Sequence, residues 1–300
     1  MDAALRAETD EALDRLLPCF GVPVARRIVE TPRGRLHLLL AGEGRAVVLL
    51  HGGFGGAGNW FRTLGPLARR FQVLAPDRPG FGLAAPATAD ALAWLDDLLA
   101  ALAVRRVALV GHAGGGALAL AYARARPDAV TALALSDVPL APPAAVVGDP
   151  AANAEGDRAA SPGLARRGGA RPRRVETWYA SLAARFDDRR LLPPEYLYYL
   201  WCLARLRPDQ DQRPPGDVAP GPVVIPGPGA RTWPTVPTLL LWGRGNRWTS
   251  AALARQLRER IPDAELRVID HSKGIPALEQ PGEFNYAVLN FLAAHRHADE

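Results

Sequence analysis

From about residue 27 the chain alternates short apolar runs with stretches of helical periodicity. The runs are "RLHLLLAG", "AVVLLHGG", "FQVLAPDRPGFG", "VALVGHAGGG", "TALALSD", "PTLLLWGRGN" and "ELRVIDHS". They are rich in Val and Leu, and most close on a glycine or a charged turn. Between them, "ADALAWLDDLLAALAV" and "TSAALARQLRERI" repeat apolar residues at helical spacing. Strands that are apolar on both faces and alternate with helices predict a mostly parallel sheet covered on both sides. In such a sheet the chemistry gathers at the carboxyl ends of the strands. Ahead of this pattern, "MDAALRAETDEALDRLLPCF" reads as an amphipathic helix. Its acidic residues and lack of an uninterrupted apolar run fit neither a signal peptide nor a membrane span.

The alternation breaks between residues 138 and 235. The break opens on "APPAAVVGDPAANAEGDRAASPGLARRGGARPRR", poor in large apolar residues, and closes on "RPPGDVAPGPVVIPGPGARTWPTVP". Both segments read as mobile connections. The stretch between them, "ETWYASLAARFDDRRLLPPEYLYYLWCLARLRPD", predicts two or three helices. The expected division is therefore an N-terminal helical extension over 1–24, a core over 25–137 and 236–300, and an inserted cap over 138–235. Most cap aromatics serve as a packing surface. Some of Trp178, Tyr179, Tyr198, Tyr199 and Trp201 are expected to face the cleft beneath it, together with Trp60, His112 and Trp248.

Composition narrows the function classes. Three hundred residues with 48% apolar content suit one α/β core carrying a subdomain. The formal charge of +5 rests almost wholly on scattered arginines, Lys273 being the single lysine, a bias that reflects a GC-rich genome. The basic cluster "ARRGGARPRR" lacks interleaved aromatics, which argues against nucleic-acid binding. Cys19 and Cys202 stand far apart and suggest neither a disulfide framework nor a metal site. The expectation is a cytoplasmic protein with no cofactor and no membrane partner, binding a hydrophobic small molecule and free to self-associate.

The stretch "VALVGHAGGGALALAYARA", residues 107 to 125, has the form of a strand, a sharp glycine turn and a helix. A Gly-x-Ser-x-Gly elbow needs small residues on either side of its serine because strand and helix backbones nearly touch there. Gly111, Gly114 and Gly115 supply that room. Alanine, Ala113, stands where the serine would be. With "LLHGGFGGAGNWF", "LAPDRPGFG" and "IPALEQPGEFNYAVLNFL" in order around it, the chain resembles the α/β-hydrolase superfamily over roughly residues 25 to 295. The likeness is strongest to capped members that cleave carbon–carbon bonds, epoxides or esters. It implies an eight-stranded, mostly parallel sheet with helices on both faces and an inserted helical cap.

The resemblance also implies a nucleophile, an acid and a histidine, in that chain order. The matching positions are Ala113, Asn246 and Gly274, so none of the three groups is present. A substitution made to trap a complex would change the nucleophile alone, which marks the triple replacement as natural. Asp137, at an alternative acid position, and His271, three residues before the lost histidine, are candidate substitutes, with Asn246 as a hydrogen-bonding group. The backbone oxyanion donors map to Gly53 or Phe54 and to Gly114. These readings predict a non-hydrolytic cyclase, isomerase or lyase, acting by confinement and carbonyl polarisation on a polyketide-like intermediate. The rivals are a catalytically inactive binding or scaffold protein and, third, a hydrolase whose water is activated by Asp137 or His271.

Overall fold

Strands buried on both faces need apolar residues at consecutive positions, and β-sheet geometry sends alternate residues to opposite layers. The computed structural model describes residues 3–53, 55–84, 90–141, 186, 188, 191–206, 223–224, 233–246 and 249–295. The strands are β1 (Ala25–Thr31), β2 (Gly34–Ala41), β3 (Ala46–Leu50), β4 (Gln72–Pro76), β5 (Val107–His112), β6 (Val130–Ser136), β7 (Leu140–Ala141), β8 (Val223–Val224), β9 (Thr238–Gly243) and β10 (Glu265–Ile269). The helices are α1 (Ala3–Leu16), α2 (Leu64–Ala68), α3 (Ala91–Ala101), α4 (Gly114–Ala125), α5 (Pro194–Leu206), α6 (Ala251–Arg260), α7 (Pro276–Glu279) and α8 (Pro281–Ala294).

Eight strands form one sheet in the order β1-β2-β4-β3-β5-β6-β9-β10. Only the β1–β2 and β2–β4 pairings are antiparallel. The pair β7–β8 lies apart from it as a short two-stranded sheet. Alternation within single strands separates two cores. Val47 and Leu49 of β3 join Leu13, Leu64, Tyr196 and Phe284 on one face. Val48 and Leu50 join Trp94, Leu118, Trp242 and Leu257 on the other. The register sets His112 of β5 beside Ser136 of β6, and Ser136 beside Leu241 of β9. The carboxyl ends of these three strands are therefore level, and the segments that leave them emerge side by side.

The seven apolar runs account for β2 to β6, β9 and β10, and the eight-stranded, mostly parallel sheet is as expected. The eighth strand, β1, is "ARRIVET", at the edge of the sheet and largely exposed, with Ile28 55% accessible. It is recruited by pairing with β2 along its whole length and by no apolar pattern of its own. Of the proposed cap, helix α5 is the main described element. It packs on α1, whose Ala12, Leu13 and Leu16 are fully buried. At the rim of that contact Arg205 and the Tyr198 hydroxyl both bond Glu8, at 2.7 and 3.2 Å. The N-terminal helix thus fastens α5 to the core. Leu13→Ala should lower the unfolding free energy by about 3 kcal/mol, the usual cost of a buried leucine cavity, whereas Glu8→Ala should cost under about 1 kcal/mol because the ion pair is partly exposed. Urea titration of both variants reads the contrast.

Candidate functional site

The site is built where β5 passes into α4. An ideal Cβ placed on Gly111 would lie 2.6 Å from the Cα of Gly116, and one on Gly115 would lie 2.1 Å from the carbonyl oxygen of Leu50. Glycine is required at both positions by this backbone contact. Between them Ala113 adopts φ 48° and ψ −121°. A non-glycine residue held there carries strain, typically about 1–3 kcal/mol, which the surrounding strand and helix must impose. The elbow's geometry therefore persists around a methyl group. Its N–H donates to the carbonyl of Ser136 at 2.8 Å, tying the elbow to the end of β6.

Directly after Ser136 comes Asp137, 5% exposed and itself at φ 48°. Its carboxylate accepts from the Asn246 amide at 2.6 Å, the Gly243 N–H at 3.1 Å and the Ser136 hydroxyl at 3.1 Å. Burial outweighs these donors and pushes the carboxyl from its ordinary 3.8 up to about 6, with Glu279 adding a smaller repulsion. Asn246 in turn accepts from the Thr249 N–H at 3.1 Å, which sets its amide nitrogen toward Asp137. Asp137 and Asn246, expected as two separate candidates, thus form one hydrogen-bonded unit.

The loop after β10 is held by a third buried group. Glu279 accepts from the Ser272 hydroxyl at 2.7 Å and from the N–H groups of Lys273, Gly274 and Ile275 at 2.9, 3.3 and 3.0 Å. Gly274 stands at φ 141°, a conformation that a histidine would adopt only under strain. The loop's backbone at this position is therefore one that suits glycine. His271 is exposed at the turn just before it, outside the buried cluster formed by Asp137 and its donors.

The fourth wall comes from the turn after β4. Asp77, fully buried, accepts from His37 Nδ1 at 2.7 Å and from the N–H groups of Ala57 and Leu83 at 2.6 and 2.9 Å. Burial alone would raise its carboxyl, but these bonds and the His37 charge hold it below the ordinary value. The N–H of the next residue, Arg78, donates to His51 Nε2 at 2.9 Å, while His51 Nδ1 lies 2.8 Å from the Gly52 carbonyl. That pairing leaves a proton on Nδ1 and occupies both ring nitrogens. Burial, then the Arg78 charge, lower His51 to about 3 and His112 to about 4, so both imidazoles are neutral near neutral pH. The Arg78 side chain, 3% exposed, reaches the elbow. Its terminal nitrogens lie 3.4 Å from where a Cβ on Gly114 would be. Nothing in the order "PDRPGFG" distinguishes this arginine from a surface turn residue, and the sequence reading passed over it.

Of four aromatics expected to face a ligand, Tyr199 and Trp60 are instead buried against the protein itself. Tyr199 is wholly buried with its ring against the backbone of Gly58. Tyr198 engages Glu8 and lies under Arg15, and Trp201 lies under Arg205. Trp60 is buried with its ring 6.4 Å from that of Phe284. Tyr199 and Trp60 are committed to packing within the protein, whereas Tyr198 and Trp201 are only partly buried. His112 does lie at the elbow, its ring edge 2.9 Å from where a Cβ on Gly52 would be. The Cβ direction of Gly53 opens on free space. Phe54, Trp178, Tyr179 and Trp248 lie outside the described residues. Among the described residues no group of three or more His, Cys, Asp or Glu is placed to hold a metal ion, and no helix is long and apolar enough to cross a membrane.

Sheet order, elbow and converging strand ends define a protein class, and comparison with known proteins agrees. A family model described as "Alpha/beta hydrolase family" matches residues 47–287. The chain belongs to the α/β-hydrolase family. It is 30% identical over 281 residues to a 2-hydroxy-6-oxo-6-phenylhexa-2,4-dienoate hydrolase of Burkholderia cepacia, covering 86% of this chain and 91% of that protein. It is 28% identical to a 2-hydroxy-6-oxononadienedioate/2-hydroxy-6-oxononatrienedioate hydrolase of Comamonas testosteroni, with the same coverage. Among solved structures, the naproxen esterase of Bacillus subtilis superposes with a TM-score of 0.76 at 20% identity, over 97% of this chain and 99% of that one. A meta-cleavage product hydrolase from Pseudomonas fluorescens gives 0.69 at 22% identity, over 89% and 97%. Both of these curated relatives are hydrolases by name. This overturns the expectation of a cyclase, isomerase or lyase, which rested on the alanine at position 113.

The Asp137 shift carries a sign that can be checked. Its folded-state value lies above its unfolded one, so the folded chain binds the proton more tightly, and stability falls as pH rises from about 3.8 to about 6. Asp137→Asn keeps an acceptor for Asn246 and Gly243 and removes the charge. Relative to wild type it should be more stable above pH 6, by up to about 3 kcal/mol, with the difference vanishing near pH 3.5. Denaturant curves across that range measure it.

Proposed function

We propose that the chain is a hydrolase of small carbonyl compounds in which water, activated by the Asp137 carboxylate, attacks directly. The observation that carries this reading is a buried carboxylate at the strand end adjoining the elbow, its pKa pushed up to about 6 by burial. A general base works best when its pKa lies near the working pH, and Asp137 meets that condition while His51 and His112 are held too low. Ala113 offers no oxygen for a covalent acyl intermediate. Water therefore adds to the carbonyl carbon and its proton passes to Asp137. The resulting oxyanion faces the N–H of Gly114 at the start of α4 and the Gly53 segment. Collapse breaks the bond to the leaving group, which takes the proton back from Asp137, giving an acid and a protonated leaving group for each water consumed.

The hydrolase names of the relatives support the reaction type, and the substrate named for the Burkholderia cepacia protein is the first compound to try. The Asp137–Asn246 bond supports the role of Asn246 as a holder of the base. With that dienoate, or a panel of simple esters, the product should gain one water. The rate should rise with pH through about 6, and Asp137→Asn should lower kcat by roughly 10² or more. His271→Ala should leave the rate within about twofold, since that side chain is exposed. A serine-directed phosphonate should leave the elbow unlabelled. Full activity in Asp137→Asn, or stoichiometric phosphonate labelling of any serine with loss of activity, would defeat the reading.

A further inference from the structure

Arg78 is the least expected group in the structure. Its guanidinium is almost entirely buried, its Nε meets no hydrogen-bond partner, and no carboxylate lies within ion-pair distance among the described residues. The neighbouring carboxylate, Asp77, is already engaged by His37, Ala57 and Leu83. Arg78 itself makes one side-chain hydrogen bond among these residues, Nη2 to the Gly52 carbonyl at 3.0 Å, and it lies against Phe81, its central carbon 4.7 Å from the ring centroid. A buried, unpaired guanidinium is costly, and burial draws its pKa down to about 10, still well above neutrality. The charge therefore persists without a counter-ion among the described residues.

A second observation shows where it is directed. Nη1 and Nη2 lie 3.4 Å from the Cβ position of Gly114, the first residue of the twelve-residue helix α4. The first N–H groups of a helix have no partners within it, and its dipole favours negative charge at that end. His51 and His112, the titratable groups packed around the guanidinium, are neutral and offer it no compensation. Fixed positive charge and free amide donors thus converge on the point where the alanine has replaced a nucleophile.

We infer that Arg78 and the N-terminus of α4 form an anion site for a monocarboxylate, the acid that hydrolysis releases at the elbow. The ligand class rests on the proposed hydrolysis; the anion site rests on the buried charge and the helix end alone. Guanidinium and carboxylate are matched in shape, with two parallel N–H donors meeting two oxygens. An acid formed beside Gly114 is released against this attraction, so the enzyme should be inhibited by its own acid product and by simple aromatic acids.

Benzoate is the probe, with benzamide as its neutral isostere. Benzoate should bind the full-length chain with a dissociation constant of roughly millimolar or tighter, and benzamide at least about tenfold more weakly. In the wild-type protein, the amide resonance of Gly114 and the Nε–H resonance of Arg78 should move together as benzoate is added. Arg78→Met should weaken benzoate by about tenfold or more and leave benzamide unchanged, while Arg78→Lys should fall between. If Arg78→Met does not fold, the wild-type resonances and Arg78→Lys decide. Equal affinity for the two probes, no benzoate binding at several millimolar, or resonances that stay fixed while benzoate binds elsewhere would each overturn the site. Benzoate binding without turnover of any carbonyl compound would sink the hydrolase reading and leave the anion site standing.

Discussion

At the end of β5 the backbone of the strand meets the backbone of α4, with no room for a side chain at Gly111 or Gly115. That contact turns the chain through Ala113 in a strained conformation and points the first amides of α4 at the carboxyl ends of the central strands. The rest of the site takes its place from it. Ser136 receives the Ala113 N–H, which fixes Asp137 one residue further on, and Asp137 gathers Asn246 and Gly243 from the next strand end. The glycines and the hydrogen bond to Ser136, rather than the apical side chain, enforce this backbone geometry.

Four buried charged groups then divide the labour. Asp77 and Glu279 are satisfied internally, the one bracing the turn after β4 and the other the loop after β10. Both accept several N–H or O–H donors, which is how a buried carboxylate is usually accommodated. Arg78 is not so satisfied, and Asp137 is satisfied only in part against the cost of its burial. These two incompletely compensated groups flank the elbow. Uncompensated burial is expensive unless function repays it, and here one group is suited to take a proton and the other to hold an anion.

The fold was legible because a doubly buried strand leaves a continuous apolar run, as in "AVVLL" and "TLLLW", and the elbow because close backbone approach demands glycine at fixed spacing. The edge strand β1 was not, since an exposed strand is defined by its partner's hydrogen bonds and carries no apolar pattern. In the site, Asp137 and Asn246 were legible from their places after strands, but their hydrogen bond depends on the register of β6 with β9. Arg78 was hidden because burial of a charge depends on what packs above it. Tyr199 of α5 misled for a related reason. An aromatic-rich helix signals a large buried area without saying whether ligand or protein covers it, and here α1 and the backbone of residues 56–58 do.

The account stands on direct attack of water with Asp137 as base. A single turnover in water of heavy-oxygen isotope, with enzyme in excess over substrate, tests this at the reacting atom. Direct attack predicts that the acid released in that first turnover carries the heavy oxygen and that Asp137 remains unlabelled. Ordinary oxygen in the first acid, with the heavy isotope appearing on the Asp137 carboxylate, would show that Asp137 forms a covalent bond to the substrate and would contradict the account.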